Sequence, residues 1–119
     1  MTRGFTDEVI ETTIAALLAQ DLLSNARFAE SFIHSRFQRG QGPQRIRVEL
    51  RERGIDDAQI DASLDLYASR WQELLEQVRL KRFGPARPDN FRERSRQVRF
   101  LLQRGFTAEQ IDALFRSRD

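Results

Sequence analysis

A four-residue motif that occurs three times constrains the fold of this chain more than any other feature. The motif is Arg-Gly-Phe/Ile-Thr/Asp, and its copies lie at residues 3–6, 53–56 and 104–107. An isoleucine follows each glycine by six residues, and a second apolar residue follows it by ten. Self-similarity at a fixed period is typical of proteins in which small helical units stack on their neighbours. The motif therefore predicts a repeat of about 50 residues.

The chemistry of the motif indicates a tight corner between two helices. A helix commonly ends at a glycine in the left-handed conformation, and an arginine in its last turn faces the negative end of the helix dipole. A threonine or aspartate soon after the glycine can cap the next helix, and a glutamine three residues later completes a capping box. The predicted corners are Gly4, Gly54 and Gly105, followed by the caps Thr6, Asp56 and Thr107, with Gln59 and Gln110 closing the boxes.

The remaining sequence also has helical periodicity, and no stretch alternates long enough to predict a strand. We expect an all-α fold of elongated tandem three-helix repeats in a right-handed or curved stack. Residues 1–20 are predicted to be the last helix of an incomplete first repeat, 21–68 the second repeat, and 69–119 the third. The expected helices cover about 7–20, 26–39 after the cap Asn25, 43–53 from Pro43, 57–67, 70–82, a helix capped by Asp89 and running to Arg104, and 108–117.

The residue inventory argues against catalysis and against a bound metal or cofactor. The chain has no cysteine and a single histidine, His34, which we expect on an exposed helix face, so it lacks the usual zinc ligand sets. No phosphate-binding loop is present, and no serine has a base to activate it. We therefore expect a protein that is not an enzyme and has no cofactor. No apolar run is long enough to span a membrane and no export signal opens the chain, so we expect a cytoplasmic protein.

Basic residues are concentrated in the last third of the chain. Residues 79–104 contain nine basic residues and two acidic ones, whereas residues 54–78 contain one basic residue and six acidic ones. Such segregation fits a protein that lies on a charged partner, although solvated helix faces would give the same pattern. The partner-binding candidates form one cluster near residues 36–47 and another at 79–99: Arg36, Arg39, Arg45, Arg47, Arg79, Lys81, Arg82, Arg87, Arg92, Arg94, Arg96 and Arg99.

Several segments together make the chain resemble the regulatory protein RecX family. They are residues 25–29 (Asn-Ala-Arg-Phe-Ala), 42–50 (Gly-Pro-Gln-Arg-Ile-Arg-Val-Glu-Leu), 53–55 (Arg-Gly-Ile) and 100–106 (Phe-Leu-Leu-Gln-Arg-Gly-Phe), followed by Ile111. The resemblance covers essentially the whole chain. Asn25 stands where the family usually has aspartate, and both residues can cap a helix. The upstream helices that complete the first repeat in the family have no counterpart here.

The resemblance implies a modulator of the recombinase RecA, acting in DNA recombination, DNA repair and the SOS response, and we expect a monomer. Members of the family are similar stacks that lie in the groove of the RecA filament on single-stranded DNA, with possible weak contact to the DNA itself. They block filament growth or promote disassembly, which lowers ATPase, strand-exchange and coprotease activities. The residues alone leave two alternatives open: a stand-alone nucleic-acid-binding protein that uses residues 79–99, and a helical adaptor for an unrelated protein.

Overall fold

The computed structural model describes residues 7–116, and all regular secondary structure in that range is helical. This part of the chain forms a rod with principal extents of 80 × 20 × 20 Å. The expected all-α, elongated repeat fold is thereby confirmed for the described residues, and none of their helices is long and apolar enough to cross a bilayer. The helices are α1 (Asp7–Gln38), α2 (Pro43–Glu52), α3 (Asp57–Asp65), α4 (Trp71–Phe83), α5 (Phe91–Gln103) and α6 (Ala108–Arg116).

Helix α1 is a single helix of 32 residues, so the expected break after residue 20 is wrong. Asn25 lies inside this helix and does not cap a new one. The segment 20–25 contains neither glycine nor proline, the two residues that interrupt helices most strongly, so nothing in it forces a break. The last helix of one predicted repeat is therefore continuous with the first helix of the next.

The two described copies of the Arg-Gly motif form the predicted helix–glycine–helix corners. Gly54 and Gly105 have φ angles of 86° and 101°, in the region that glycine adopts without a steric penalty. The amide of Ile55 donates to the carbonyl of Leu50, and that of Phe106 donates to the carbonyl of Leu101, each at 3.2 Å. These bonds satisfy carbonyls that the helix end leaves free, in the arrangement known as the Schellman motif. Gly4 and Thr6 lie outside the described residues.

The caps follow the sequence expectation in part. Asp56 accepts a hydrogen bond from the amide of Gln59 at 2.9 Å, as predicted. Thr107 and Gln110 bond each other's amides at 3.0 and 2.9 Å, which confirms that capping box. The predicted box at Gln59 is wrong, because its side chain donates instead to the carbonyl of Leu22 in α1 at 2.8 Å.

Helix α5 is capped one residue later than the sequence predicts. Asn90, and not Asp89, precedes the first residue of this helix, and its side chain accepts from the amide of Glu93 at 2.8 Å. Both residue types cap helices well, so composition cannot choose between adjacent candidates.

The core runs along the rod in two helix triplets, α1–α3 and α4–α6. Aromatic rings join the triplets: the ring centroid of Phe37 lies 5.1 Å from that of Tyr67 and 5.4 Å from that of Trp71. The most buried apolar side chains are Ala29, Ile33, Ile46, Leu50 and Ile60 in the first triplet, and Leu75, Leu101, Phe106, Ile111, Leu114 and Phe115 in the second.

Backbone hydrogen bonds fix how the second triplet sits on the first. The amide of Gly42 donates to the carbonyl of Arg104, and the amide of Gln44 donates to the carbonyl of Gly105, both at 2.8 Å. The α5–α6 corner therefore rests directly on the α1–α2 connection. This contact brings two segments some 60 residues apart in sequence to the same place on the rod.

Candidate partner-binding groove

A groove of about 410 Å³ opens on the surface where the two helix triplets meet. Its floor is apolar, formed by Leu74, Val78 and Phe100, and its rim carries four basic side chains from both triplets. No acidic residue lines it. The residues that line the groove are Gln38, Arg39, Gly40, Leu74, Gln77, Val78, Lys81, Arg82, Phe100 and Arg104.

A second, shallower hollow continues the groove between α4 and α5. It shares Arg82 and Phe100 with the first and adds Arg96 and Arg99. The two hollows together form one surface, which we call the basic groove and define by Arg39, Lys81, Arg82, Arg96, Arg99 and Arg104.

Aromatic rings hold several guanidinium groups of the basic groove in place. The guanidinium carbon of Arg82 lies 5.3 Å from the ring centroid of Phe100, and that of Arg96 lies 4.9 Å from the centroid of Phe83. The two rings meet edge to face at 5.3 Å. Stacking limits the motion of the Arg82 side chain while leaving its planar fork able to bind a carboxylate or a phosphate through two hydrogen bonds. The groove is therefore pre-organised for an anionic partner.

Arg96 also binds a carboxylate of its own helix. Its Nε and Nη2 each donate to Glu93 at 2.9 Å, and the side chain of Gln97 donates to the same carboxylate at 3.0 Å. The hydrogen bond from Arg96 and then that from Gln97 hold the pKa of Glu93 below its ordinary value. Any stability that these bonds contribute is present at neutral pH and is lost as the pH falls through the folded-state pKa of Glu93.

The groove contains only part of the set of basic residues proposed from the sequence. Arg39, Lys81, Arg82, Arg96 and Arg99 line it, so one member of the first predicted cluster lies beside members of the second. The structure thus brings residues of both clusters to one site between the triplets. The two predicted clusters therefore do not form separate, equivalent basic sites spaced one repeat apart.

Four of the other candidates have partners within the chain. Arg36 lies 3.7 Å from a carboxylate oxygen of Glu49, and Arg47 forms an ion pair with Asp61. Arg94 and Arg87 both contact the end of α6: the guanidinium carbon of Arg94 lies 4.8 Å from the ring centroid of Phe115, whose carbonyl accepts from Arg87 at 3.4 Å. Arg45 and Arg92 are exposed outside the groove.

Arg79 is fully buried, which corrects its assignment to the partner-binding surface. Its Nε donates to Oε1 of Gln97 at 3.2 Å, and its Nη2 donates to the carbonyl of Ala86 at 2.8 Å. The side chain therefore ties α4 to α5 and to the loop 84–90. Its spacing from Leu75 and Val78 places it on the core-facing side of α4, a position that counting charges along the sequence does not reveal.

Replacing Gln97 with leucine tests this structural role. The substitution keeps the volume but removes the acceptor of the buried Arg79 Nε, and a buried donor that loses its acceptor costs about 1–3 kcal/mol. We expect the free energy of unfolding, measured by urea titration, to fall by about that amount. Gln103→Leu is the matched control, since it makes the same change on the exposed side of α5. Equal losses in the two variants would contradict the role of Arg79.

Sequence reasoning missed Arg104 as a groove residue. The motif predicts only a helix-corner arginine at this position, yet its Nη2 donates to the carbonyl of Arg39 at 3.4 Å and its guanidinium lies 5.7 Å from the ring of Phe100. The corresponding arginine of the other described corner, Arg53, also lies over a ring, 5.2 Å from the centroid of Phe28. The presence of an aromatic residue within reach of the arginine in this motif is a signal that could have identified Arg104 as a groove residue.

His34 lies on the exposed side of α1, as the sequence predicts. Its Nδ1 is 3.4 Å from the hydroxyl of Tyr67, which is a polar neighbour and not a metal ligand. Within residues 7–116, no three of the side chains His, Cys, Asp and Glu are grouped closely enough to hold a metal ion.

Each of the two helix triplets matches a model of a known protein family. The family model for the second three-helix domain of RecX matches residues 24–64, and the model for the third three-helix domain of RecX matches residues 69–115. The first match covers the C-terminal half of α1 with α2 and most of α3, and the second covers α4–α6.

Whole-chain comparisons agree with the domain matches. The chain is 45% identical to the regulatory protein RecX of Pseudomonas entomophila over 117 residues, which is 98% of this chain and 76% of that protein. It is 43% identical to the regulatory protein RecX of Halorhodospira halophila, over 98% of this chain and 73% of that protein. The fold is similar to the crystal structure of RecX from Lactobacillus salivarius, with a TM-score of 0.68 at 24% identity over 94% of this chain and 75% of the other. The chain therefore belongs to the RecX family.

Proposed function

We propose that this protein is a negative regulator of the RecA recombinase. In this proposal it lies in the helical groove of the RecA–DNA filament and blocks filament extension, so that ATPase, strand-exchange and coprotease activities fall. The observation that carries the proposal is the basic groove, found between the two RecX-type domains of a rod 20 Å wide. Relatives that share over 40% of their residues with it are named regulatory proteins.

The shape and chemistry of the rod fit such a role. A protein 80 Å long can contact several subunits of a helical filament at once, and each contact can be weak because they add up. Guanidinium forks held by aromatic rings can bind carboxylates of the protein filament or phosphates of the DNA within it. Regulation of this kind requires binding and no bond-making step. We accordingly propose a cytoplasmic protein that acts by binding and is not an enzyme.

The test is the ATPase activity of RecA on single-stranded DNA. We expect this protein to suppress it at stoichiometric or lower amounts, because one bound rod prevents addition of further subunits. The readout is ATP hydrolysis during a titration with the protein at fixed RecA and DNA. Full RecA activity in the presence of a several-fold excess of folded protein would contradict the proposal.

The alternative is a stand-alone nucleic-acid-binding protein that uses the same groove. The arrangement of Arg82, Arg96, Phe83 and Phe100 favours it, since arginines beside aromatic rings are common where proteins bind single strands. This alternative predicts tight binding to a labelled oligonucleotide without RecA, measured by fluorescence anisotropy. The affinity would then fall steeply as salt rises, because each neutralised phosphate releases counterions. Weak binding at moderate salt, together with ATPase suppression, would favour regulation of RecA.

A further inference from the structure

The basic side chains around the first hollow of the groove have no carboxylate partner in the part of the chain that the structure describes. They are Arg39, Lys81, Arg82 and Arg104. Several arginines elsewhere on the rod do form ion pairs, with acidic residues of their own helix or of a neighbouring one. Arg104 also has a buried Nε that lacks a hydrogen-bond acceptor within residues 7–116. Four cations that repel one another and have no counter-charge in this range favour an anionic partner.

The floor of the same hollow requires a partner that is also partly apolar. Leu74 and Val78 lie one turn apart on α4, and Phe100 of α5 completes the floor. A partner that covers this floor with an apolar group removes it from water, which is favourable. A phosphodiester backbone carries a charge at every nucleotide and has no aliphatic side chain to place there. A protein segment supplies both kinds of group, because carboxylate and apolar side chains can follow one another along its chain.

The aromatic rings of the groove are poorly placed to stack on nucleobases. The guanidinium carbons of Arg82 and Arg104 lie 5.3 and 5.7 Å from the ring centroid of Phe100, and the ring of Phe83 meets that of Phe100 at 88°. Both rings are half-buried. Proteins that bind single strands stack successive bases on aromatic side chains, whereas a base at Phe100 would have to displace a guanidinium group. The rings therefore serve to position the arginines and do not offer a platform for bases.

We propose that the basic groove binds a short acidic segment of the filament protein, with an apolar side chain on the floor and carboxylates paired with the basic rim. The planar fork of an arginine can hold a carboxylate through two hydrogen bonds, and Lys81 adds a point charge. Every residue that lines the first hollow belongs to one of the two triplets that match RecX domain models. The inference rests on the proposed function and decides between the two anions that it left open, in favour of protein carboxylates over DNA phosphates.

Lys81 provides the test, because it is the only lysine of the chain and lies on the rim of the groove. A water-soluble carbodiimide joins a carboxylate to a contacting amine as an amide, and the water lost in this step converts the carbodiimide into a urea. With the full chain bound to RecA on single-stranded DNA, we expect Lys81 to be joined to an aspartate or glutamate of RecA, which mass spectrometry identifies. Lys81→Arg is the control. It keeps the positive charge, so suppression of the ATPase should persist, and it removes the amine, so this cross-link should be lost.

The outcomes of this experiment separate the inference from the proposed function. Suppression of the RecA ATPase without a cross-link at Lys81 would overturn the acidic segment and leave the function intact, since the internal phosphodiesters of DNA do not form this amide. A cross-link to RecA without suppression would support the segment and count against the function. If neither is observed, both proposals are wrong.

Replacing Gln77 with leucine tests the apolar half of the inference. Gln77 is an exposed residue of the groove beside Leu74 and Val78, so leucine extends the apolar surface without changing the core. The concentration needed for half-inhibition of the RecA ATPase should fall by about threefold, because more apolar area is covered on binding. Gln20→Leu is the matched control, since it makes the same change at an exposed position outside the groove. Unchanged or weaker inhibition by Gln77→Leu would contradict contact with an apolar side chain.

Discussion

Replacing Gly105 with alanine should destabilise the protein by about 2–5 kcal/mol, whereas the same change at Gly54 should cost only about 1–2 kcal/mol. Both glycines occupy the same position of the same motif and have similar positive φ angles, so the backbone penalty of a Cβ atom is shared. The difference comes from their surroundings. A Cβ atom at Gly54 meets nothing within 4 Å, whereas one at Gly105 would overlap Cβ of Arg45 and lie 3.0 Å from the carbonyl oxygen of Gly42.

The clash at Gly105 falls on the contact that joins the two helix triplets. The carbonyls of Arg104 and Gly105 accept the amides of Gly42 and Gln44, so moving this corner away breaks both hydrogen bonds. We expect Gly105→Ala to separate the triplets as well as lower overall stability. Urea unfolding followed by circular dichroism measures the free energy, and the fluorescence of the single tryptophan, Trp71, reports on the junction. Equal destabilisation by Gly54→Ala and Gly105→Ala would show that the packing of the corner has no energetic role.

Reversing two charges in the basic groove should remove most of the proposed inhibition of RecA. Arg39→Glu with Lys81→Glu changes one exposed residue from each side of the groove, and neither is part of the core. Like charges brought together at an interface cost several kcal/mol, so the concentration needed for half-inhibition of the RecA ATPase should rise by at least about tenfold. The unfolding free energy should stay close to that of the wild type, since surface changes have small effects.

The control for this experiment changes net charge by the same amount elsewhere. Arg27→Glu with Arg116→Glu alters two exposed residues that do not line the groove, and the exposed ion pair between Arg116 and Asp112 contributes little to stability. We expect inhibition to be nearly unchanged. If both double variants lose inhibition equally, net charge and not the groove determines binding. If neither does, the partner binds another surface and the assignment of the groove is wrong.

Local features of the fold could be predicted from the sequence because their causes are local. The corners at Gly54 and Gly105 need only a residue that tolerates positive φ, a preceding helix and a following cap. The same reasoning was wrong at Gln59, whose neighbour in space is the carbonyl of Leu22, 37 residues away. It was also wrong at Asn25, where a residue that caps many helices lies inside one because nothing else in the segment breaks it.

The groove could not be predicted because it depends on contacts between distant residues. Arg39 and Arg104 come together only because the amides of Gly42 and Gln44 bond to the facing corner. Counting charges along the sequence identifies a basic region, but it does not show which basic side chains of that region are exposed to solvent. Arg79 illustrates this limit: it belongs to that region by sequence and to the core by position, and its spacing from Leu75 was the available sign.

The continuity of α1 restricts how the length of this chain can change. A helix advances about 100° and 1.5 Å with each residue, so one residue inserted near residues 20–25 would turn the first half of α1 by more than a quarter of a revolution. Its apolar side would then face a different direction from the rest of the rod. Insertions or deletions of seven residues nearly restore the phase, whereas a flexible loop would accept any number. The length of α1 between the first two repeats therefore fixes the rotation of one repeat about the helix axis relative to the next, a constraint of helical phase that a non-helical connection does not impose.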